Sequence, residues 1–109
     1  MSYDIILKSD SGEAVGCVNI TWNLKEALDF VFNDQGGHKY WRDSIEEHQC
    51  TYTEEEVTRL LLRVIKHRKH LDTLMPPNGW GSYWNILRLM HRMLEVSADY
   101  GKVELEVCT

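Results

Sequence analysis

The run Lys102-Val103-Glu104-Leu105-Glu106-Val107 alternates a charged side chain with an apolar one at every step. Successive side chains on an extended strand point to opposite faces, so this segment reads as a strand with one face buried and the other wet. A lone strand cannot bury three apolar side chains. The chain must therefore contain a sheet, and its other strands must come from elsewhere in the sequence. Tyr3-Asp4-Ile5-Ile6-Leu7-Lys8 and Glu13-Ala14-Val15-Gly16-Cys17-Val18-Asn19-Ile20 are strand-like runs joined by Ser9-Asp10-Ser11-Gly12, a turn composition. The pattern predicts an N-terminal hairpin that the C-terminal strand joins.

Between these strands the hydrophobic period changes from two to that of a helix. Asn23 followed by Glu26 matches a capping box, and Leu24, Leu28, Val31 and Phe32 recur at helical spacing, which predicts a first helix over residues 24–34. Thr53 with Glu56 is a second capping box, with Glu54, Glu55 and Glu56 at the positive end of the helix dipole. Val57, Leu60, Leu61, Val64, Ile65 and Leu71 then mark one apolar face, and Pro76-Pro77 forbids continuation, so a second helix is expected over residues 54–73. Tyr83, Ile86, Leu87, Met90, Met93, Leu94 and Val96 draw a third helix that ends near Gly101. Residues 38–53 carry no clear period; within them Tyr40-Trp41-Arg42-Asp43-Ser44-Ile45 fits a short helix or an ordered loop. The expected fold is α+β, a single compact domain over residues 1–109 with a small sheet of about three strands packed with about three helices.

Composition narrows the class of function. The 109 residues are 43% hydrophobic and contain no run of 18 apolar residues, so no membrane span is expected. The start Met1-Ser2-Tyr3-Asp4 lacks the basic and apolar regions of a secretory signal. Three cysteines, Cys17, Cys50 and Cys108, form no CxxC pair and fit reduced thiols, and a cytoplasmic location is expected. The net charge of -5 hides an asymmetry: between Val57 and Arg92 there are seven basic residues (Arg59, Arg63, Lys66, Arg68, Lys69, Arg88, Arg92) against one acidic residue, Asp72. Such a block attracts an anion, while the acidic whole argues against bulk nucleic-acid binding. A small phosphorylated ligand fits better.

Four tryptophans stand out because three sit among amides, hydroxyls and glycines rather than in apolar runs. Trp22 lies in Asn19-Ile20-Thr21-Trp22-Asn23, Trp41 in Gly36-Gly37-His38-Lys39-Tyr40-Trp41-Arg42, and Trp80 in Asn78-Gly79-Trp80-Gly81-Ser82-Tyr83. An indole in such company suits a surface that stacks on a ligand and hydrogen-bonds to it, although Asn23 reads equally as a helix cap and Ser82 or Asn78 as another. Trp84 begins the apolar pattern of the third helix and is expected in the core. Arg59, Arg63, Lys66 and His70 share one helix face, as do Arg88, His91 and Arg92; such stripes serve either a ligand or plain solvation. His67 and His70 have no carboxylate on their face and no HExxH motif, and no GxSxG appears, so neither a metal, a cofactor nor catalysis is expected.

The Asn19-Ile20-Thr21-Trp22-Asn23 block closing a strand, with Gly79-Trp80-Gly81-Ser82-Tyr83 opening a later helix, resembles a group of small phage, prophage and bacterial proteins in which an N-[IM]-T-[WY]-N block recurs near the start. The resemblance implies a phage-associated context, in which proteins of this size neutralise a host defence component or its nucleotide signal.

The sequence thus points to a non-catalytic protein that sequesters a small phosphorylated, nucleotide-like molecule. In that reading Trp22, Trp41 or Trp80 stacks, with Tyr83 beside them at the helix opening, while Asn19, Thr21 and Asn23 hydrogen-bond and Arg63, Arg88 or Arg92 meets phosphate. The alternative is a protein–protein inhibitor or immunity protein whose acidic N-terminal half docks on a basic target through exposed aromatics. A chain of about 100 residues seldom encloses a ligand alone, so a homo-oligomer is expected.

Overall fold

The computed structural model describes residues 2–32, 40–79 and 81–108. Strands β1 (Ser2–Lys8), β2 (Ala14–Thr21), β3 (Thr51–Thr53) and β4 (Lys102–Cys108) form one antiparallel sheet in the order β2-β1-β4-β3. The hairpin and the alternating C-terminal strand pair as their patterns require, with Ile5 opposite Val107 and Leu7 opposite Leu105. Ile5, Leu7, Val18, Ile20, Val103, Leu105 and Val107 are all buried on one face. Asp4, Lys8 and Glu106 lie on the opposite one, where Lys8 Nζ meets Glu106 at 2.7 Å. The sheet has a fourth strand beyond the three expected: β3 adds Tyr52 opposite Val103 and comes from the end of residues 38–53, which carry no clear period.

Helices cover the buried face. The 3₁₀ turn Trp22–Leu24 leads into α1 (Lys25–Phe32), and Thr21, not Asn23, is its cap: Thr21 Oγ1 accepts from the Asn23 amide at 3.4 Å. The 3₁₀ turn starts the helical run at Trp22, which moves the capping position back from Asn23 to Thr21. The short helix α2 (Trp41–Asp43) runs on into a π turn over Ser44–His48. α3 (Glu54–Lys66) starts at the Thr53–Glu56 capping box as expected, but the single helix expected over residues 54–73 breaks at His67 (φ -102, ψ 24) and resumes as α4 (Arg68–Thr73). α5 (Tyr83–Tyr100) opens with the Ser82 amide donating to Asn85 Oδ1 at 2.8 Å and closes at Gly101, whose φ of +87 suits a left-handed cap.

Two placements differ from the expected faces. Trp84 is 63% exposed, because the buried ladder of α5 runs through Tyr83, Ile86, Met90, Met93 and Ser97, and Trp84 sits one residue, about 100°, off that line. Ile65 is likewise 51% exposed beside buried Val64. Among the described residues no helix is long and apolar enough to cross a membrane.

The two tryptophan-bearing motifs meet in space. A Cβ added to Gly81 (φ +110) would lie 2.8 Å from Thr21 Cγ2 and 2.9 Å from Leu24 Cγ. Only glycine permits that approach, so the packing of the two motifs requires glycine at this position.

Candidate functional site

A cleft of about 390 Å³ opens between α3, the end of α1 and the π turn. Its shape follows from a chain of local bonds. Ser44 Oγ donates to the Phe32 carbonyl at 2.9 Å, fastening the π turn to the end of α1. Gln49 Nε2 donates to Glu56 Oε2 at 2.7 Å and to the Thr51 carbonyl at 3.0 Å, while the Tyr52 hydroxyl donates to the Gln49 carbonyl at 2.9 Å. Phe32 and Tyr52, both buried, stand with ring centroids 6.3 Å apart and form an apolar wall. The cleft falls within the 300–1,000 Å³ typical of ligand sites.

Along α3 the cleft is basic. Arg59, Arg63 and Lys66 recur at spacings of four and three and line the same opening, joined by His48 and His67. Arg59 is highly exposed and pairs with Glu55 at 2.9 Å. Arg63 is held more firmly: its guanidinium lies 4.3 Å over the Phe30 ring, and Nη2 donates to the Phe30 carbonyl at 3.2 Å. His67 and His70 pack edge-on against the same ring, at 5.3 and 4.7 Å. Glu56 is the acid of the lining, and its carboxyl is held below the ordinary range by the Thr53 backbone amide first and the Gln49 side chain second. Both amide bonds go to the carboxylate, which spends its acceptors inside the wall. Among the described lining residues Arg59, Arg63 and Lys66 stand against Glu56, whose carboxylate is committed to the wall, with Arg59 also paired to Glu55.

The expected ligand-binding residues are dispersed. Of those among the described residues, only Arg63 lines this cleft. Trp41 is 1% exposed, wedged between Tyr3 (5.1 Å, edge-on) and Phe32 (6.5 Å), with its amide donating to Asp29 Oδ1 at 2.8 Å. Its ring is thereby core and offers no face for stacking. Tyr83 is also buried, its hydroxyl donating to the Val64 carbonyl at 3.3 Å. Trp22 is 39% exposed and tilts against Tyr3 at 5.4 Å, on a surface where Arg42 lies 5.9 Å from the Tyr3 ring and Lys25 lies 4.3 Å over Tyr40. Asn19 Nδ2 donates to Ser2 Oγ at 2.9 Å and Asp4 Oδ1 at 2.8 Å, Thr21 serves as the cap, and Asn23 is exposed. Arg88 is exposed on α5, and Arg92 lies over Gly16 of β2 with Nη1 donating to Glu95 at 3.2 Å. Trp80 lies outside the described residues.

Arg59 and Lys66 were legible as members of the basic stripe. His48 and Gln49 were not, because they reach the cleft through a π turn that has no sequence period. Comparison with protein-family models, curated proteins and solved structures finds no match to this chain.

Proposed function

We propose that the protein is a non-catalytic binding protein that sequesters a small phosphorylated, nucleotide-like molecule in the α3 cleft. The observation that carries this reading is the convergence of Arg59, Arg63 and Lys66, with His48 and His67, on one opening of ligand size. Guanidinium and ammonium groups at that density suit phosphate oxygens, and Phe32 and Tyr52 supply the apolar wall that a base or sugar packs against. The resemblance of residues 19–23 and 79–83 to phage and prophage proteins favours one version, in which the captured molecule is a host defence signal and the protein works in the host cytosol.

Thermal unfolding with inorganic phosphate, pyrophosphate and a nucleotide panel tests it. A ligand at a hundred times its Kd adds about 2.7 kcal/mol of stability, and some member of the panel should shift Tm by several degrees. Arg59→Ala and Lys66→Ala should each weaken that ligand about tenfold while leaving the free protein's Tm unchanged. Arg63→Ala is a poorer probe, because it also removes the bond to the Phe30 carbonyl. A Tm unmoved by every compound sinks the reading.

A second reading, a protein inhibitor, draws on three exposed side chains of the helical layer: Leu62, Ile65 and Trp84, with Arg68 5.3 Å from the Trp84 ring. It predicts no response to the panel and a loss of partner binding in Trp84→Ala.

A further inference from the structure

We propose that Gln49 sets the specificity of the α3 cleft: its side-chain oxygen accepts a hydrogen bond from the captured molecule, which is a nucleotide whose base carries an exocyclic amino group. Resting on the phosphorylated-ligand reading of the same cleft, this role adds which bases the site accepts. Gln49 lines the opening and is held at four points. Its backbone amide donates to the Ser44 carbonyl at 2.8 Å and closes the π turn, and its backbone carbonyl accepts from the Tyr52 hydroxyl at 2.9 Å. Its side-chain nitrogen donates to Glu56 Oε2 at 2.7 Å and to the Thr51 carbonyl at 3.0 Å.

Those last two partners fix which way the amide faces. A backbone carbonyl can only accept, and the Glu56 carboxyl, favoured in its ionised form, also only accepts, so the atom that meets both must be nitrogen. Both amide hydrogens are thereby spent on the wall. Oε1 is left, and among the described residues no donor reaches it. A hydroxyl can rotate to suit either kind of partner, whereas this amide cannot, so an occupant that meets Gln49 must bring a donor. An acceptor held in advance loses little freedom on binding, and it discriminates because a ligand edge without N–H leaves it unpaired.

The order of charges along α3 supplies the rest of the molecule. Gln49 is tied to Glu56 in the first turn of the helix, whereas Arg63 and Lys66 lie about 10 and 15 Å further along its axis. A fixed acceptor therefore stands toward one end of the cleft and cations toward the other. A nucleotide with an amino-bearing base has the matching order, N–H donors at one end and phosphate oxygens at the other.

Equilibrium titration of the full chain with three pairs of nucleoside 5′-triphosphates tests the proposal: adenosine against purine riboside, guanosine against inosine, and cytidine against uridine. The first of each pair carries an exocyclic amino group that the second lacks. In at least one pair the amino-bearing member should bind about tenfold more tightly or better. Gln49→Met removes the acceptor. Glu56→Gln turns it, because the Thr53 amide holds the oxygen of residue 56, so the new nitrogen faces Gln49 and the Gln49 amide flips to present hydrogen instead. Either change should bring the ratio within that pair close to unity, with Tm as the check on folding; if Gln49→Met does not fold, Glu56→Gln decides. A wild type that binds none of the triphosphates removes the cleft reading and this role together. Equal affinity within all three pairs, or a preference that persists in the folded variants, overturns the role of Gln49 alone.

Discussion

Gly81→Ala is the sharpest test of how the helical layer is seated on the sheet. The new methyl group would lie 2.8 Å from Thr21 Cγ2, 2.9 Å from Leu24 Cγ and 3.2 Å from Leu24 Cδ2, where carbon atoms prefer 3.5–4.0 Å. Leu24 is wholly buried and cannot swing aside, so the strain goes into moving the 3₁₀ turn or the start of α5. Overpacking of this kind costs about 1–3 kcal/mol. The φ of +110 adds about 1–2 kcal/mol for a residue with a side chain. The sum, about 2–5 kcal/mol, is a large share of the 5–15 kcal/mol that holds a domain together. Gly101→Ala is the control: its φ is +87, but no heavy atom lies within 4 Å of the added carbon, so only the conformational cost of about 1–2 kcal/mol applies. Urea unfolding followed by tryptophan fluorescence should therefore place Gly81→Ala well below Gly101→Ala. Thr21→Ser, which removes Cγ2 but keeps the oxygen that caps Asn23, should recover part of the difference in the Gly81→Ala background. Equal losses in the two glycine variants would refute the claim that the two motifs touch.

The tryptophans should divide by burial rather than by neighbouring sequence: Trp41→Ala should cost about 3–5 kcal/mol in the same urea assay, and Trp84→Ala less than about 1 kcal/mol. Glu56 is held in its charged form by the Thr53 amide and Gln49, so it adds stability above its unfolded pKa, and that contribution is lost as pH falls through the lower folded value. Glu56→Gln should be less stable than wild type at pH 7, with the gap closing as the buffer is acidified below about pH 4, the ordinary range of the group; a gap that stays constant with pH would remove the carboxylate from this role.

What the sequence made legible were the elements with a long, unmixed period. β4 alternates over its whole length, α3 begins at a reciprocal cap, and α5 repeats its apolar positions over five turns before Gly101. β3 was invisible because three residues carry no period, and the break at His67 because the apolar residues on both sides keep one helical phase. The basic stripe on α3 was readable from spacing alone. The aromatics misled for a physical reason: polar neighbours in sequence say little about burial when a side chain's direction is set by tertiary contacts. Trp41 follows exposed Tyr40 yet points between Tyr3 and Phe32, whereas Trp84, next to buried Tyr83, points out.

The order β2-β1-β4-β3 makes partners of strands far apart in the chain, with Ile5 opposite Val107, a separation of 107 − 5 = 102 residues. Ile5 also faces Val18, only 13 residues away. Loop closure costs about 0.6 kcal/mol per doubling of length, so the central pair starts about 2 kcal/mol behind the hairpin. The hairpin therefore forms first and serves as the template on which the last strand zips. On a ribosome adding 5–20 residues per second, about 4–17 s pass between the synthesis of Thr21 and that of Val107. Throughout that interval both edges of the nascent hairpin are open, and the apolar face of Ile5, Leu7, Val18 and Ile20 has no C-terminal strand beside it. The topology thus makes folding of the sheet a late event in synthesis and leaves the newborn hairpin as the species most in need of a chaperone.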